Sequence, residues 1–155
     1  HRDLHSFPTR RSSDLSKNME SNFSKTQNVL EMSLNANLKR WNVLSNNIAN
    51  ANTPNFKRSD VTFSAQMQRA LSSQQNPYPF EAKRAHGKHI PFFEKVDYKQ
   101  VSPKLQTEYY STIMNNGNNV DPEFEMAEAS KTILMYEATS SMINRNYNSI
   151  NMLLK

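Results

Sequence analysis

Ser45-Asn46-Asn47-Ile48-Ala49-Asn50-Ala51-Asn52-Thr53-Pro54-Asn55-Phe56-Lys57 is the stretch that decides the fold. It joins an apolar stripe to an Asn-rich break. Upstream, Phe23, Leu30, Leu34, Trp41, Leu44, Ile48 and Ala51 fall on the a and d positions of one heptad frame, which predicts a helix from near Asn22 to Ala51. Two frame positions are polar, Gln27 and Asn37; a polar Asn on such a seam fixes register or oligomeric state at a cost in stability. Leu38 widens the stripe. The helix must end by Thr53, because a residue before proline is pushed out of the α region and Pro54 has no N–H to continue the ladder. Asn55 then stands where a positive φ is wanted, which Asn tolerates. Asn46, Asn47, Asn50 and Asn52 carry amides able to bond the backbone or a neighbouring chain, or merely to end the helix and shape the turn.

A second heptad segment lies near the other end of the chain. Met126, Ala129, Ile133, Tyr136, Ser140, Ile143, Tyr147, Ile150 and Leu154 step by alternating three and four residues, and Leu134, Met135, Met142 and Leu153 flank them. Its start is marked by Asn115-Asn116-Gly117-Asn118-Asn119-Val120-Asp121-Pro122-Glu123. Asp121 is a good N-cap and Pro122 suits the first helical position. Glu123 and Glu125 complement the positive helix terminus. A helix of roughly 30 residues is long beside the average of about 11–12 and favours coiled-coil packing. The expected architecture is mainly α. Long N- and C-terminal helices pack as an antiparallel, coiled-coil-like pair, and the middle is irregular and partly extended.

Between the helices, Phe63, Met67, Ala70 and Leu71 have helical spacing, so Ser59–Leu71 is expected to be a short helix capped near Ser59 or Asp60. Residues 72–103 are rich in Ser, Gln and proline (Pro77, Pro79, Pro91, Pro103) and read as irregular, with short strands around Ile90–Val96. Leu105–Met114 is a helical turn or an extended segment. The chain thus divides into 1–18, 19–71, 72–116 and 117–155, with 22–71 and 117–155 forming one helical domain. His1–Leu15 shows no apolar period, and His5–Leu15 resembles the translation of a sequencing-adapter oligonucleotide, so Met19 is the expected start. Without that stretch, which holds three Arg and two Asp, the net charge falls from +5 to +4.

Composition excludes several function classes. Hydrophobic residues make up 36% of the 155, against roughly 45–50% on average, which fits a core shared between subunits better than a large private one. There is no cysteine, so disulfides, thiol catalysis and thiolate metal sites are excluded. No apolar run is long enough to span a membrane, and no signal peptide appears. Two glycines leave no phosphate-cradling loop, and no nucleophile elbow appears. His86 and His89 are three apart, but Gly87 and Pro91 argue against a helix there and only Glu81 and Glu94 are near, so no metal, cofactor or catalytic residue is assigned. The Lys and Arg residues are scattered without a cluster; a basic helical nucleic-acid binder is the distant alternative, and a small enzyme a more distant one.

The Ser45–Lys57 stretch resembles the signature of the bacterial flagellar rod and hook proteins, Ser-Asn-Asn-Ile-Ala-Asn-Ala-Asn-Thr-Pro-Gly-Tyr-Lys, with Asn55 in place of Gly and Phe56 in place of Tyr. Within that family it is most similar to the proximal rod subunits. The chain is short, and Lys57–Phe63, His89-Ile90 and Gly117–Asp121 match their pattern. The resemblance implies a structural, non-enzymatic subunit of the basal body rod in the periplasmic space, exported unfolded through the flagellar type III apparatus. Its implied partners are FlgC and further rod proteins and the FliE adaptor. FlgC itself, which shares both terminal patterns, or another axial protein is the alternative identity. The assembly residues implied are the motif and the seams: Leu30, Leu34, Trp41, Leu44 and Ile48 on the first helix, and Met126, Ala129, Ile133, Tyr136, Ile143, Tyr147, Ile150 and Leu154 on the last.

Overall fold

The computed structural model describes residues 12–75, 96–111 and 117–154. Two long helices dominate it, α1 (Ser12–Ala49) and α3 (Pro122–Leu153). They run antiparallel, since Gln27 meets Asn146 at one end and Asn47 meets Glu125 at the other. Between them in sequence come strand β1 (Ser59–Thr62), helix α2 (Ser64–Gln75), a 3₁₀ turn (Tyr98–Gln100) and strand β2 (Lys104–Thr107). The expected mainly α pair with a partly extended middle is the fold observed.

Helix α1 begins at Ser12, earlier than the expected Asn22. It ends at Ala49, where the bonding tightens: the Ala51 N–H reaches back three residues to Ile48 O and the Thr53 N–H to Asn50 O. Asn55 holds φ at 60°, the positive value its position called for. Helix α3 starts as its sequence dictates. The Asp121 carboxylate accepts from the Glu123 and Phe124 N–H groups, with proline just inside the helix.

The segment after the motif departs from expectation. Ser59–Thr62 is not the first turn of a helix but a strand, antiparallel to β2 with Ser59 opposite Thr107 and Val61 opposite Leu105. β-branched Val61 and Thr62 suit the pleat, and the Ser59 and Thr107 hydroxyls pair at 2.9 Å. α2 starts only after Phe63, whose carbonyl accepts from Met67 N. The apolar spacing still marks the packed residues: Phe63, Met67 and Ala70 are buried with Tyr98 and Val101 against Ala36, Val29 and Met32 of α1. Ser72–Gln75 completes α2, inside the stretch expected to be irregular. The expected strands at 90–96 lie outside the described residues apart from Val96, as do His86, His89 and residues 1–11 of the expected non-native segment.

Helix α1 therefore serves three neighbours, α2, α3 and β1. One face closes the small core against α2; an adjoining face, with Leu44 fully buried, meets α3.

Candidate functional site

The end of α1 is tied to the start of α3 by buried polar side chains. Asn47 is 1% exposed and uses every hydrogen-bonding group of its amide. Its Nδ2 donates to Ser59 O (2.8 Å) and to Glu125 Oε2 (2.9 Å), and its Oδ1 accepts from Ser59 N (3.1 Å). The paired bonds to Ser59 imitate a neighbouring strand along β1. Aspartate could not do this, having no N–H to donate and a negative charge that would repel that of Glu125. Glu125 is fully buried, and burying a charge is costly unless it is paired. Arg58 supplies the pairing, Nε to Oε1 at 2.8 Å, while its guanidinium lies 5.5 Å from the centre of the Phe124 ring and NH1 sits 3.7 Å from Glu108.

The loop before α3 closes the other side. Asn118 and Asn119 are fully buried. Asn118 Nδ2 donates to Ala51 O at 2.6 Å. Asn119 Oδ1 accepts from Arg58 N at 2.7 Å, and its Nδ2 donates to Glu108 O and Ser111 Oγ. Lys57 Nζ donates to Ser111 O and Gly117 O, each at 3.0 Å. Gly117, at φ 83°, lies against Asn55: a β-carbon there would stand 2.5 Å from Asn55 Oδ1. The motif thus binds five pieces of chain together: the end of α1, its following loop, both strands and the lead-in to α3. Asn50 and Thr53, by contrast, make only exposed local bonds, Asn50 with Asn46 and with Thr53.

Four members of this network are not among the assembly residues the sequence implied. Arg58 lies one residue past the motif. Asn118 and Asn119 look like turn residues, and Glu125 looks like a partner for the helix dipole. The available signal was the antiparallel pairing itself, which brings the first turn of α3 beside Asn47.

The second feature is an apolar edge. The line of α3 turned toward α1 runs Glu125, Thr132, Thr139, Asn146 in seven-residue steps; the first two are buried and the others half-buried. Ala129, Ile143 and Ile150 of the predicted seam share this inward face, half-buried, and Tyr136 sits at its margin, 37% exposed. The other predicted line, one residue on from the polar one, is largely outward: Met126, Ile133, Tyr147 and Leu154 are exposed, Leu154 at 80%, and Ser140 between them is half-buried. On α1, Leu44 is buried, Leu30, Leu34 and Ile48 are half-buried, and Trp41 is 40% exposed. Leu38, Trp41, Ile133 and Tyr136, with Asn37 and Thr132, line a notch of about 100 Å³ between the two helices. The inward line of α3 is therefore displaced by one residue from the apolar frame, and half of that frame is left on the surface.

No group of three or more His, Cys, Asp or Glu among the described residues has the arrangement to hold a metal ion. No helix among them is long and apolar enough to cross a membrane.

A family model described as flagella basal body rod protein matches residues 28–57, which take in the whole second half of α1 and the whole motif. The chain is 34% identical over 116 residues to the flagellar basal body rod protein FlgB of Borreliella burgdorferi, covering 75% of this chain and 85% of that protein. It is 31% identical to FlgB of Bacillus subtilis over 85% of this chain and 95% of that protein. Identity to FlgB of Aquifex aeolicus is also 31%, over 83% and 91%.

Proposed function

The chain belongs to the flagellar basal body rod proteins, structural components of the flagellum, and from that premise we propose that it is a proximal rod subunit whose exposed α3 line packs against neighbouring subunits of the rod. Its role is mechanical, with no catalysis: it contributes one segment of a shaft. The observation that carries this reading is the displaced seam. Met126, Ile133, Tyr147 and Leu154 repeat every seven residues or a multiple of seven and stand exposed, and Ile133 borders the equally exposed Leu38 and Trp41 of α1. A heptad line left uncovered has the geometry to take a further helix, and its burial would supply the hydrophobic energy that the polar inward line does not.

The rod partners in this reading are FlgC and further rod proteins, with the FliE adaptor at the base. The subunit reaches its place in the periplasmic part of the basal body through the flagellar type III export apparatus. The FlgB names of the relatives support a proximal position over the FlgC alternative. Ile133→Asp tests the assignment in a flagellated host that depends on this chain for its rod. The variant is expected to be exported at the normal level while basal bodies lack a complete rod and motility is lost. Normal rods and swimming in the Ile133→Asp strain would refute the outward line as an assembly surface.

A further inference from the structure

We propose that the Asn47–Glu125–Arg58 cluster is a register lock that selects one of several alignments of α3 along α1. The inference concerns the chain by itself and does not depend on its place in a rod. The two helices carry unbroken heptad frames, so sliding α3 by seven residues returns similar side chains to similar places. On the inward polar line, Thr132 would replace Glu125, Thr139 would replace Thr132, and Asn146 would replace Thr139. On the companion line Tyr136 would replace Ala129, Ile143 would replace Tyr136 and Ile150 would replace Ile143. The polar and aliphatic exchanges are tolerated, and the one bulky exchange, Tyr136 for Ala129, falls at a site that is only half-buried. Loss of Glu125 from its place is not tolerated: displaced by a heptad, its buried carboxylate leaves Asn47 Nδ2 at 2.9 Å and Arg58 Nε at 2.8 Å, and Thr132 cannot reproduce either contact. The lead-in residues reinforce the choice, because Asn118 and Asn119 grip Ala51 O and Arg58 N just before the helix begins.

A single polar position that fixes alignment, at a cost in stability, is an attested use of buried polar groups in paired helices. The obvious residue for it, Asn37, is only half-buried and opens onto the notch; Asn47, ten residues on, is the one sealed inside. The lock also decides which α3 residues stand beside Trp41. In the observed register these are Ile133 and Tyr136; one heptad away they would be Ser140 and Ile143.

The absence of cysteine makes alignment directly readable. Gln27→Cys with Asn146→Cys reports the observed register, the native side chains there being 3.5 Å apart. Gln27→Cys with Leu153→Cys reports the slipped one. A short bifunctional thiol reagent is applied to each purified full-length protein, and bridging is scored by mass. In the parent, the in-register pair is expected to bridge at least about a hundredfold faster, the preference set by breaking a buried ion pair. In Glu125→Leu/Arg58→Met, which replaces the pair with apolar groups of similar reach, the slipped pair should gain about tenfold or more against the in-register pair. Arg40→Met/Glu128→Leu removes the half-exposed ion pair that joins α1 to α3 (3.4 Å), together with the contact of Arg40 to Asp60, and should leave the ratio within about threefold of the parent. An unchanged ratio in the first variant overturns the lock. So does an equal shift in the second, or loss of helical circular dichroism in the first, since the cluster would then hold the fold and not choose the register.

Discussion

Replacing Asn47 with alanine tests whether the motif works through burial or merely through composition. The perturbation removes three hydrogen bonds at once, to Ser59 O, Ser59 N and Glu125 Oε2. Glu125 is fully buried and loses one of its two close donors; a buried acceptor left unsatisfied costs about 1–3 kcal/mol, more when charged. Ser59 is half-buried, so water reaches its freed backbone groups in part, and each is taken at the low end, about 1 kcal/mol. The sum is about 3–5 kcal/mol, which for a chain of this size lowers Tm by roughly 8–15 °C. Asn50→Ala, three residues on, is the matched control. Its bonds are local and exposed, and its loss is expected to stay within about 0.5–1 kcal/mol. Thermal and urea unfolding followed by circular dichroism at 222 nm would measure both. If the two substitutions cost the same, to within about 1 kcal/mol, the claim that Asn47 is the structural centre of the motif is wrong.

Other consequences of the geometry are equally open to measurement. Gly117→Ala is expected to destabilise by about 1–3 kcal/mol, since it forces a positive φ on a side chain and drives it into Asn55. Asn55→Gly, which restores the usual residue of the signature, should stabilise by about 0.5–1 kcal/mol by relieving the φ of 60°. The double variant should recover at least about 0.5 kcal/mol beyond additivity, because the contact partner is gone; strict additivity in urea melts would refute the clash. Leu44→Asp and Ile133→Asp should separate folding from assembly. The first places a charge at a fully buried site and should unfold the helix pair, while the second, at a 42% exposed position, should change stability by less than about 1 kcal/mol and still abolish motility.

The long helices were legible because their signals are local. A heptad repeat, a proline after the motif and Asp121-Pro122 each specify backbone conformation within a few residues. Asn55 was legible for the same reason, its steric position being set by the chain around it. The strand at Ser59–Thr62 was not. Its pairing partner Thr107 lies far along the chain, and four residues carry too little pattern to announce it. Glu125 shows the limit most clearly. In sequence it is one of two acidic residues in a first helical turn; only the fold, by bringing Asn47 and Arg58 to it, makes one of them buried and the other exposed.

The displaced seam has a physical meaning beyond a shift in numbering. Periodicity locates a helix's apolar lines but does not say which neighbour each will meet. Here the lines are shared out. α1 is offered Glu125, Thr132 and Asn146 together with Ala129, Ile143 and Ile150, while Met126, Ile133, Tyr147 and Leu154 are kept outside. A pair joined through a half-polar interface gains little hydrophobic energy but a defined geometry, since polar groups are costly out of register and apolar ones far less so. The reverse holds for the outer line, which is tolerant in geometry and strong in burial. In the proposed role, that division would let the intramolecular contact fix shape and leave the burial energy for contacts between chains. Exchanging the two lines, with Thr132→Ile and Ile133→Thr together, should therefore raise the melting temperature of the free subunit and weaken its assembly. A free subunit no more stable than its parent would show that the inward line was not chosen at the expense of stability.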